Sequence, residues 1–253
     1  MSIPNEFHFV FGLAEDFGGK PFCFIHYLAI VMCHEVNRPE RINFYYAFEP
    51  TGVWWRRARK YLNPIRISPP KEIFGNALSH PAHMSDVVRL EVLLKTGGIY
   101  LDIDVLCLRP FTPLRDFDVV LGEELNVGLC NAVILAKPGS SFLKRWLGEY
   151  RTFSSKEWNT HSVQLPKLLA DRYPDEIHVV DHTNFFWPTY REDQLKSFFL
   201  GSGSHYCDHS YCVHLWETFT WFGLKDIQPE DLLQGQSEFA LLTKQYVASQ
   251  WVE

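Results

Sequence analysis

The chain has 253 residues, enough for one α/β domain with a substantial core or for two small domains. Its 24 Lys plus Arg stand against 30 Asp plus Glu, and the resulting net charge of -6 argues against a general nucleic-acid binder. Hydrophobic residues at 46% and charged residues at 21% exclude a disordered chain, and no apolar run reaches the length of a membrane-spanning helix.

The first residues, MSIPNEFHFVFG, lack the basic start and apolar run of a secretory signal. The six cysteines (Cys23, Cys33, Cys107, Cys130, Cys207, Cys212) lie scattered in apolar segments and read as reduced core thiols. A cytoplasmic protein is the expectation. Residues 7–12 read as a short strand ending at a glycine turn. Residues 21–36, PFCFIHYLAIVMCHEV, begin with a proline suited to a first helical turn and are apolar almost all round, so they predict a largely buried helix. Residues 42–48 form a strand by aromatic content, 53–62 a short helix, and 64–68 another strand.

A helix over 81–95 stops at Gly97–Gly98, either of which can take a left-handed cap conformation. IYLDIDV (99–105) follows as a strand, and this alternation of strands and helices implies a mainly parallel sheet with crossovers. Further on, 116–124, 131–137 and 177–181 read as strands, and 141–153 and 162–173 as helices. Residues 210–219 read as a late strand leading into a loop. No repeat or linker divides the chain, so one domain over 1–253 is expected, with a donor-side core about 1–137 and acceptor-side and closing elements about 138–253.

The chemistry is concentrated in the strand over 99–105. Alternation of side chains places Ile99, Leu101, Ile103 and Val105 on one face, and Tyr100, Asp102 and Asp104 on the other. Buried carboxylates must be paired, protonated or bound to a cation. Two at the carboxyl end of a parallel strand occupy the place where open α/β sheets bind ligands, and oxygen donors suit Mg²⁺ or Mn²⁺. On spacing alone, a strand end with both aspartates in solvent is the favoured account, because a D-x-D triplet is common by chance. The preceding helix adds Asp86 and Arg89, three residues apart on one face, which alone make only an ordinary ion pair.

Taken together, SDVVRLEVLLKTGGIYLDIDV closely resembles the sugar-nucleotide signature of the DXD-containing glycosyltransferases. These include the family 32 enzymes, such as α-1,6-mannosyltransferases and α-1,4-galactosyltransferases, and more distantly the clostridial glucosylating toxins. The likeness extends to IPNEFHFVFG, where Phe11 stands in the place often held by Trp, to GLCNAVILAKPGSSFL and to YCVHLWETFTW. The resemblance implies a GT-A (Rossmann-like) α/β fold with helices flanking a mixed, mainly parallel sheet. It implies an enzyme that moves a sugar from a UDP- or GDP-sugar to a glycan, glycolipid or polysaccharide, with retention of configuration and with Mn²⁺ or Mg²⁺ bound.

By the same resemblance, Asp102, Asp104 and His214 hold the metal, and Asp86, Arg89 and Asp102 act at the reacting sugar. Phe11, Gly12, Gly98, Tyr100, Asn131 and Trp216 complete the donor site. Two rivals stay open at this point: a haloacid-dehalogenase-like phosphatase using the DxD strand, and a GT-A-like binder without transfer.

Other features read blandly. HYCDHSYCVH (205–214) fits no common zinc spacing and serves better to bring His214 to the site. WWRRARKY (54–61) reads as a solvated basic face with its rings in the core, the alternative being a patch for a membrane surface or an anionic acceptor. His161 is a helix-end histidine that could instead face the acceptor.

Overall fold

The computed structural model describes residues 2–201 and 209–251, so residues 205–208 of the histidine- and cysteine-rich stretch at 205–214 lie outside the described residues. In chain order, the first half comprises β1 (Glu6–Val10), α1 (Phe24–Asn37), β2 (Arg41–Tyr46), α2 (Gly52–Ala58), β3 (Asn63–Arg66) and the hairpin strands β4 (Glu72–Ile73) and β5 (Asn76–Ala77). Then come α3 (Pro81–Thr96), β6 (Gly98–Leu101), β7 (Val105–Cys107), β8 (Val119–Glu124) and β9 (Gly128–Ala136). The remainder comprises α4 (Ser141–Glu149), α5 (Leu165–Arg172), β10 (His178–Val180), α6 (His182–Phe185), α7 (Glu192–Leu200), β11 (Cys212–His214), α8 (Glu217–Leu224), α9 (Pro229–Gln234) and α10 (Glu238–Trp251).

A seven-stranded sheet runs in the order β10-β8-β9-β6-β1-β2-β3. β1 pairs in parallel with both β2 and β6, β2 with β3, and β10 with β8, while β9 runs antiparallel to β6 and β8. The mixed, mainly parallel α/β sheet expected from the sequence is therefore present. Strand alternation sorts the apolar side chains into two cores. Phe7, Phe9, Ile99, Leu101, Val133 and Leu135 join a core with α1, α2, α7 and α10; Val10, Tyr100, Ile134 and Ala136 join another with α3, α4 and α5. α1 is buried from Phe24 to Cys33 without interruption, as its all-round apolar sequence requires.

The structure corrects two readings. The strand read over 99–105 is not continuous: β6 ends at Leu101, where Asp102 N still donates to Ala132 O on β9 (2.8 Å), and Val105 N then closes back on Asp102 O (3.0 Å). The chain turns through Asp102–Asp104 and restarts as β7, which leaves the main sheet and pairs antiparallel with β11. The turn carries Asp104 away from the main sheet and towards β11, while both carboxylates still line the cleft. The second correction concerns 210–219. Its strand is confined to β11, and Glu217 begins α8 instead of a loop. Residues 192–200 and 229–251, to which the sequence reading assigned nothing, form α7, α9 and α10; Gln250 Oε1 accepts from Tyr61 OH (2.8 Å) and Tyr27 OH (3.2 Å), tying α10 to α1 and the turn after α2.

β1 and β6 are locked together by His8 and Gly98. His8 is 1% exposed, and its Nε2 donates to Gly97 O at 2.9 Å while Nδ1 faces Tyr45 OH (3.3 Å) and Asn43 Nδ2 (3.4 Å). With both nitrogens committed in a dry site, burial brings its pKa down to about 4. Gly98 has φ +110, and a Cβ there would stand 2.6 Å from both Glu6 O and His8 Nε2. Its glycine serves this close approach of strands, and it does not line the cleft described below.

Two outcomes follow. Below pH 6.5 the unfolded chain binds a proton at residue 8 that the native state refuses. Acidification from pH 6.5 to 4 should therefore remove about 3 kcal/mol of stability through His8, and urea titrations across that range should show a flatter slope for His8→Asn. Gly98→Ala should lower stability by about 1–3 kcal/mol, read as a melting temperature several degrees below wild type.

Candidate active site

A cleft of about 530 Å³ opens at the carboxyl ends of β1 and β6. This is where strand order reverses, with β2 on one side of β1 and β6 on the other, and where open α/β sheets bind ligands. Phe11 and Gly12, just past β1, Asp86 and Arg89 on α3, Asp102 and Asp104 on the turn, Asn131 on β9, His214 at the end of β11 and Trp216 just past it all line it. Tyr100 and Gly98, placed among donor contacts by the sequence reading, lie behind this wall.

On α3, Arg89 is 4% exposed and spends its donors inside the protein: Nη1 to Asn131 O (2.8 Å), Nη2 to Ser85 Oγ (3.0 Å) and Nε to Ser85 O (3.2 Å). It pairs with Asp86 (3.4 Å) and Asp102 (3.2 Å), and its guanidinium carbon sits 4.4 Å from the Tyr100 ring centroid. Burial opposes its charge, and Asp102, Tyr100 and Asp86 more than offset that, raising its pKa. Burial raises the Asp86 carboxyl, with Arg89 and the 2.7 Å donation from Asn131 Nδ2 acting against it. Tyr100 supports the cleft from behind, its OH donating to Asp102 Oδ1 at 2.7 Å. Asp86 and Asp102 are thus fixed from below by side chains already committed, a preorganised pair of carboxylates.

Asp104 knits the turn to the carboxyl-terminal segment. Its backbone O accepts from Leu215 N (3.0 Å), and its Oδ2 accepts from Glu217 N (2.8 Å) and lies 3.3 Å from His214 Nε2. Burial works against the carboxylate, and His214 and the Glu217 amide outweigh it, holding the pKa below its ordinary value. Between those two anchored amides Trp216 takes φ 53 and ψ 50, a left-handed conformation that a bulky residue adopts only when its neighbours force it. Its ring lies 4.2 Å from that of His214, and its Nε1 donates to Pro188 O at 2.9 Å.

Asp102, Asp104 and His214 offer three ligand atoms within 4.8 Å of one another. Nδ1 of His214 is buried without a hydrogen-bond partner among the described residues. Two carboxylates and an imidazole form a donor set that fits Mn²⁺ or Mg²⁺, with room for further oxygen ligands. The residues present therefore fit the divalent cation that the sequence implied.

Residues that the sequence reading missed also shape the cleft. Glu217 Oε1 lies 2.6 Å from His26 Nε2 and Oε2 lies 3.3 Å from Lys20 Nζ, so the start of α8 is held against α1. Phe17, another missed residue of the cleft, stacks on Phe11 (5.6 Å, 21°), which was named from the sequence and packs on His26 (5.1 Å). Because the partners of Glu217 lie 191 positions or more away, no local spacing could have announced them. His161 does not line the cleft: its ring packs on Tyr150 and Phe153, with Nε2 3.3 Å from Thr152 Oγ1.

Residues 24–123 match the profile of the family described as glycosyltransferase sugar-binding region containing DXD motif. Glucan organizing enzyme 1 of Cryptococcus neoformans var. grubii is 33% identical over 267 residues, spanning 98% of this chain and 71% of that protein. The chain belongs to the DXD glycosyltransferases. Inositol phosphoceramide mannosyltransferase 3 of Schizosaccharomyces pombe is 28% identical over 158 residues, covering 55% of this DXD glycosyltransferase and 43% of its relative. In fold, the chain is similar to the glycosyltransferase GlyE of Streptococcus pneumoniae TIGR4, with a TM-score of 0.51 at 11% identity over 98% of this chain and 64% of that one. The architecture is of GT-A type. Membership sets aside the phosphatase and the non-catalytic binder as descriptions of the family's chemistry.

The energetics of the Arg89 knot yield a further expectation. Removing one partner of a buried ion pair leaves the other charge stranded, so Arg89→Met should lose about 3 kcal/mol or more of unfolding free energy in urea. Asp102→Asn, at a side chain 29% exposed, should lose much less.

Proposed function

We propose that this glycosyltransferase transfers a hexose from a UDP- or GDP-sugar, in a divalent-metal-dependent reaction, to a hydroxyl of a glycan, glycolipid or polysaccharide, with retention of configuration. The observation that carries the reading is the convergence of Asp102, Asp104 and His214 within reach of one cation, beside the buried Asp86–Arg89 pair. Residues about 1–137 form the donor side, and about 138–253 supply the closing and acceptor side.

In this reading Asp102, Asp104 and His214 hold Mn²⁺ or Mg²⁺, which when bound offsets charge building on the leaving phosphates. Lys20, which lines the cleft beside Glu217, adds a second positive charge on that side. Phe11 and Gly12 border the nucleoside. The carboxylate of Asp86, fixed by Asn131 and Arg89, stands against the sugar ring and stabilises its oxocarbenium character. The acceptor hydroxyl oxygen bonds to the anomeric carbon as the carbon–phosphate oxygen bond breaks. The electron pair leaves with the nucleoside diphosphate, and the hydroxyl proton passes to its departing oxygen. His214 and Trp216 close the site from the carboxyl-terminal side. Among the described residues, no helix is long and apolar enough to cross a membrane, and Trp55 of the basic helix is buried.

The test is nucleoside diphosphate release from a panel of UDP- and GDP-sugars with Mn²⁺, with Mg²⁺ and with a chelator. Metal-dependent release from one donor, falling at least about 100-fold in Asp104→Asn, is the expected result. Release that persists with chelator and in the variant would remove the metal from the mechanism.

A further inference from the structure

One wall of the cleft takes no part in the chemistry above. It is built from the start of α3 and from the segment between α4 and α5, and its most conspicuous member is Trp158, which lines the cleft while 57% exposed. Indole is costly to leave in water, and an exposed one inside a concave site presents a flat apolar face to whatever enters. The ring is not loose: it packs on His80 (ring centroids 5.0 Å apart, interplanar 80°) and on His83 (5.4 Å, 51°).

His83 supplies an independent observation. It lines the cleft, is 3% exposed, and neither Nδ1 nor Nε2 has a hydrogen-bond partner among the described residues. A buried imidazole with both nitrogens unmet is destabilising unless a ligand group completes it. Both nitrogens are shielded by packed rings, Phe153 (5.1 Å) and Trp158 (5.4 Å) among them, so a ligand that engages His83 must displace one of these rings.

The position on α3 indicates what the ligand is. His83 and Asp86 are three residues apart on one helical face, an axial rise of about 4.5 Å, which is of the order of one sugar ring. The charge distribution agrees. The fixed cations of the cleft, Lys20 and Arg89, lie with Glu217, Asp86 and Asp102, whereas Ala82, Trp158, Asn159, Ser162 and Val163 carry no charge. Such a wall suits a neutral ring with an apolar face and a rim of hydroxyls.

We infer that Trp158 and His83 form the acceptor-sugar subsite of this glycosyltransferase, Trp158 stacking on the apolar face of a neutral hexose and His83 hydrogen-bonding one of its hydroxyls. The inference rests on the functional reading above, because it takes the sugar beside Asp86 to be the donor's.

The experiment measures binding of methyl α-D-mannopyranoside, methyl α-D-glucopyranoside and methyl β-D-galactopyranoside by saturation-transfer NMR. It uses the full chain with UDP or GDP and Mn²⁺, as wild type, Trp158→Ala, Trp158→Phe and His83→Ala. At least one glycoside should bind wild type, weaken at least tenfold in Trp158→Ala, recover in Trp158→Phe and weaken in His83→Ala. The ratio of glycoside transfer to donor hydrolysis should fall in parallel. The inference is overturned if wild type binds none of the three, if Trp158→Ala binds them as wild type does, or if the loss falls on nucleoside diphosphate affinity, which would make Trp158 a base-stacking residue. Failure of the functional reading looks different, because no donor would then release nucleoside diphosphate whatever the NMR shows.

Discussion

Everything at the active site hangs on the way Asp104 is held. One residue accepts Leu215 N on its backbone oxygen and Glu217 N on its side chain, with His214 Nε2 within 3.3 Å. Those contacts join the turn after β6, near the middle of the chain, to a segment that begins more than a hundred residues later. They also explain the left-handed Trp216, since fixing the amides on both sides leaves its backbone little choice. The strain is local and is balanced by hydrogen bonds in a dry setting, where each is stronger than in water. A carboxylate that both orders the closing segment and offers itself to a cation couples the completeness of the fold to the completeness of the site.

A second constraint lies beneath the first. Arg89 is buried with three of its nitrogens bonded to Ser85 and Asn131, so its role is to fix Asp86 and Asp102 in place more than to reach into the cleft. Tyr100 contributes from the same hidden layer, through its hydroxyl to Asp102 and its ring beneath the guanidinium. Buried ion pairs of this kind add little net stability, and they are informative about geometry: two acids held within one network cannot drift apart. The conformational freedom of these two carboxylates is restricted by the protein's own contacts before any ligand arrives.

How much of this could be read from the residues depended on the range of the interactions. The parallel sheet followed from alternating patterns, and strand alternation correctly divided Ile99 and Leu101 from Tyr100, because both are set by neighbours along the chain. Asp86, Arg89, Asp102 and Asp104 lie within one helix–strand unit, and their spacing carried the family signature. The turn at Asp102–Asp104 was not legible, because its sequence alternates as a strand would; β7 departs only because β11, far away in the chain, offers it a partner. The same limit hid the Glu217–His26–Lys20 cluster and the Trp158–His83 wall, which tertiary structure alone brings together. Gly98 was misread in an instructive way. It belongs to the signature, and the reason is the approach of β6 to β1 and not contact with a ligand.

These ranges arrange the site into parts of different character. The α3–β6 unit is locally encoded, with β6 buried throughout and stitched to β1 by His8. The closing segment is encoded by long-range contacts and rests on Asp104 and on the grip of His26 and Lys20 upon Glu217. If the cation site forms as the donor set allows, cation binding would reinforce the joint between these parts, because two of the donors stand on the turn and the third on β11. Loss of such a cation would then loosen one of the joints between the turn and the carboxyl-terminal segment, leaving the β7–β11 ladder and the grip on Glu217 as the others. The wall bearing Trp158 shares the start of α3 with the first part and is otherwise built from the segment between α4 and α5. Trp158 makes no contact with Asp104, so under the acceptor reading proposed above this wall could change in ring, rim and charge while the Asp104 joint stayed as it is.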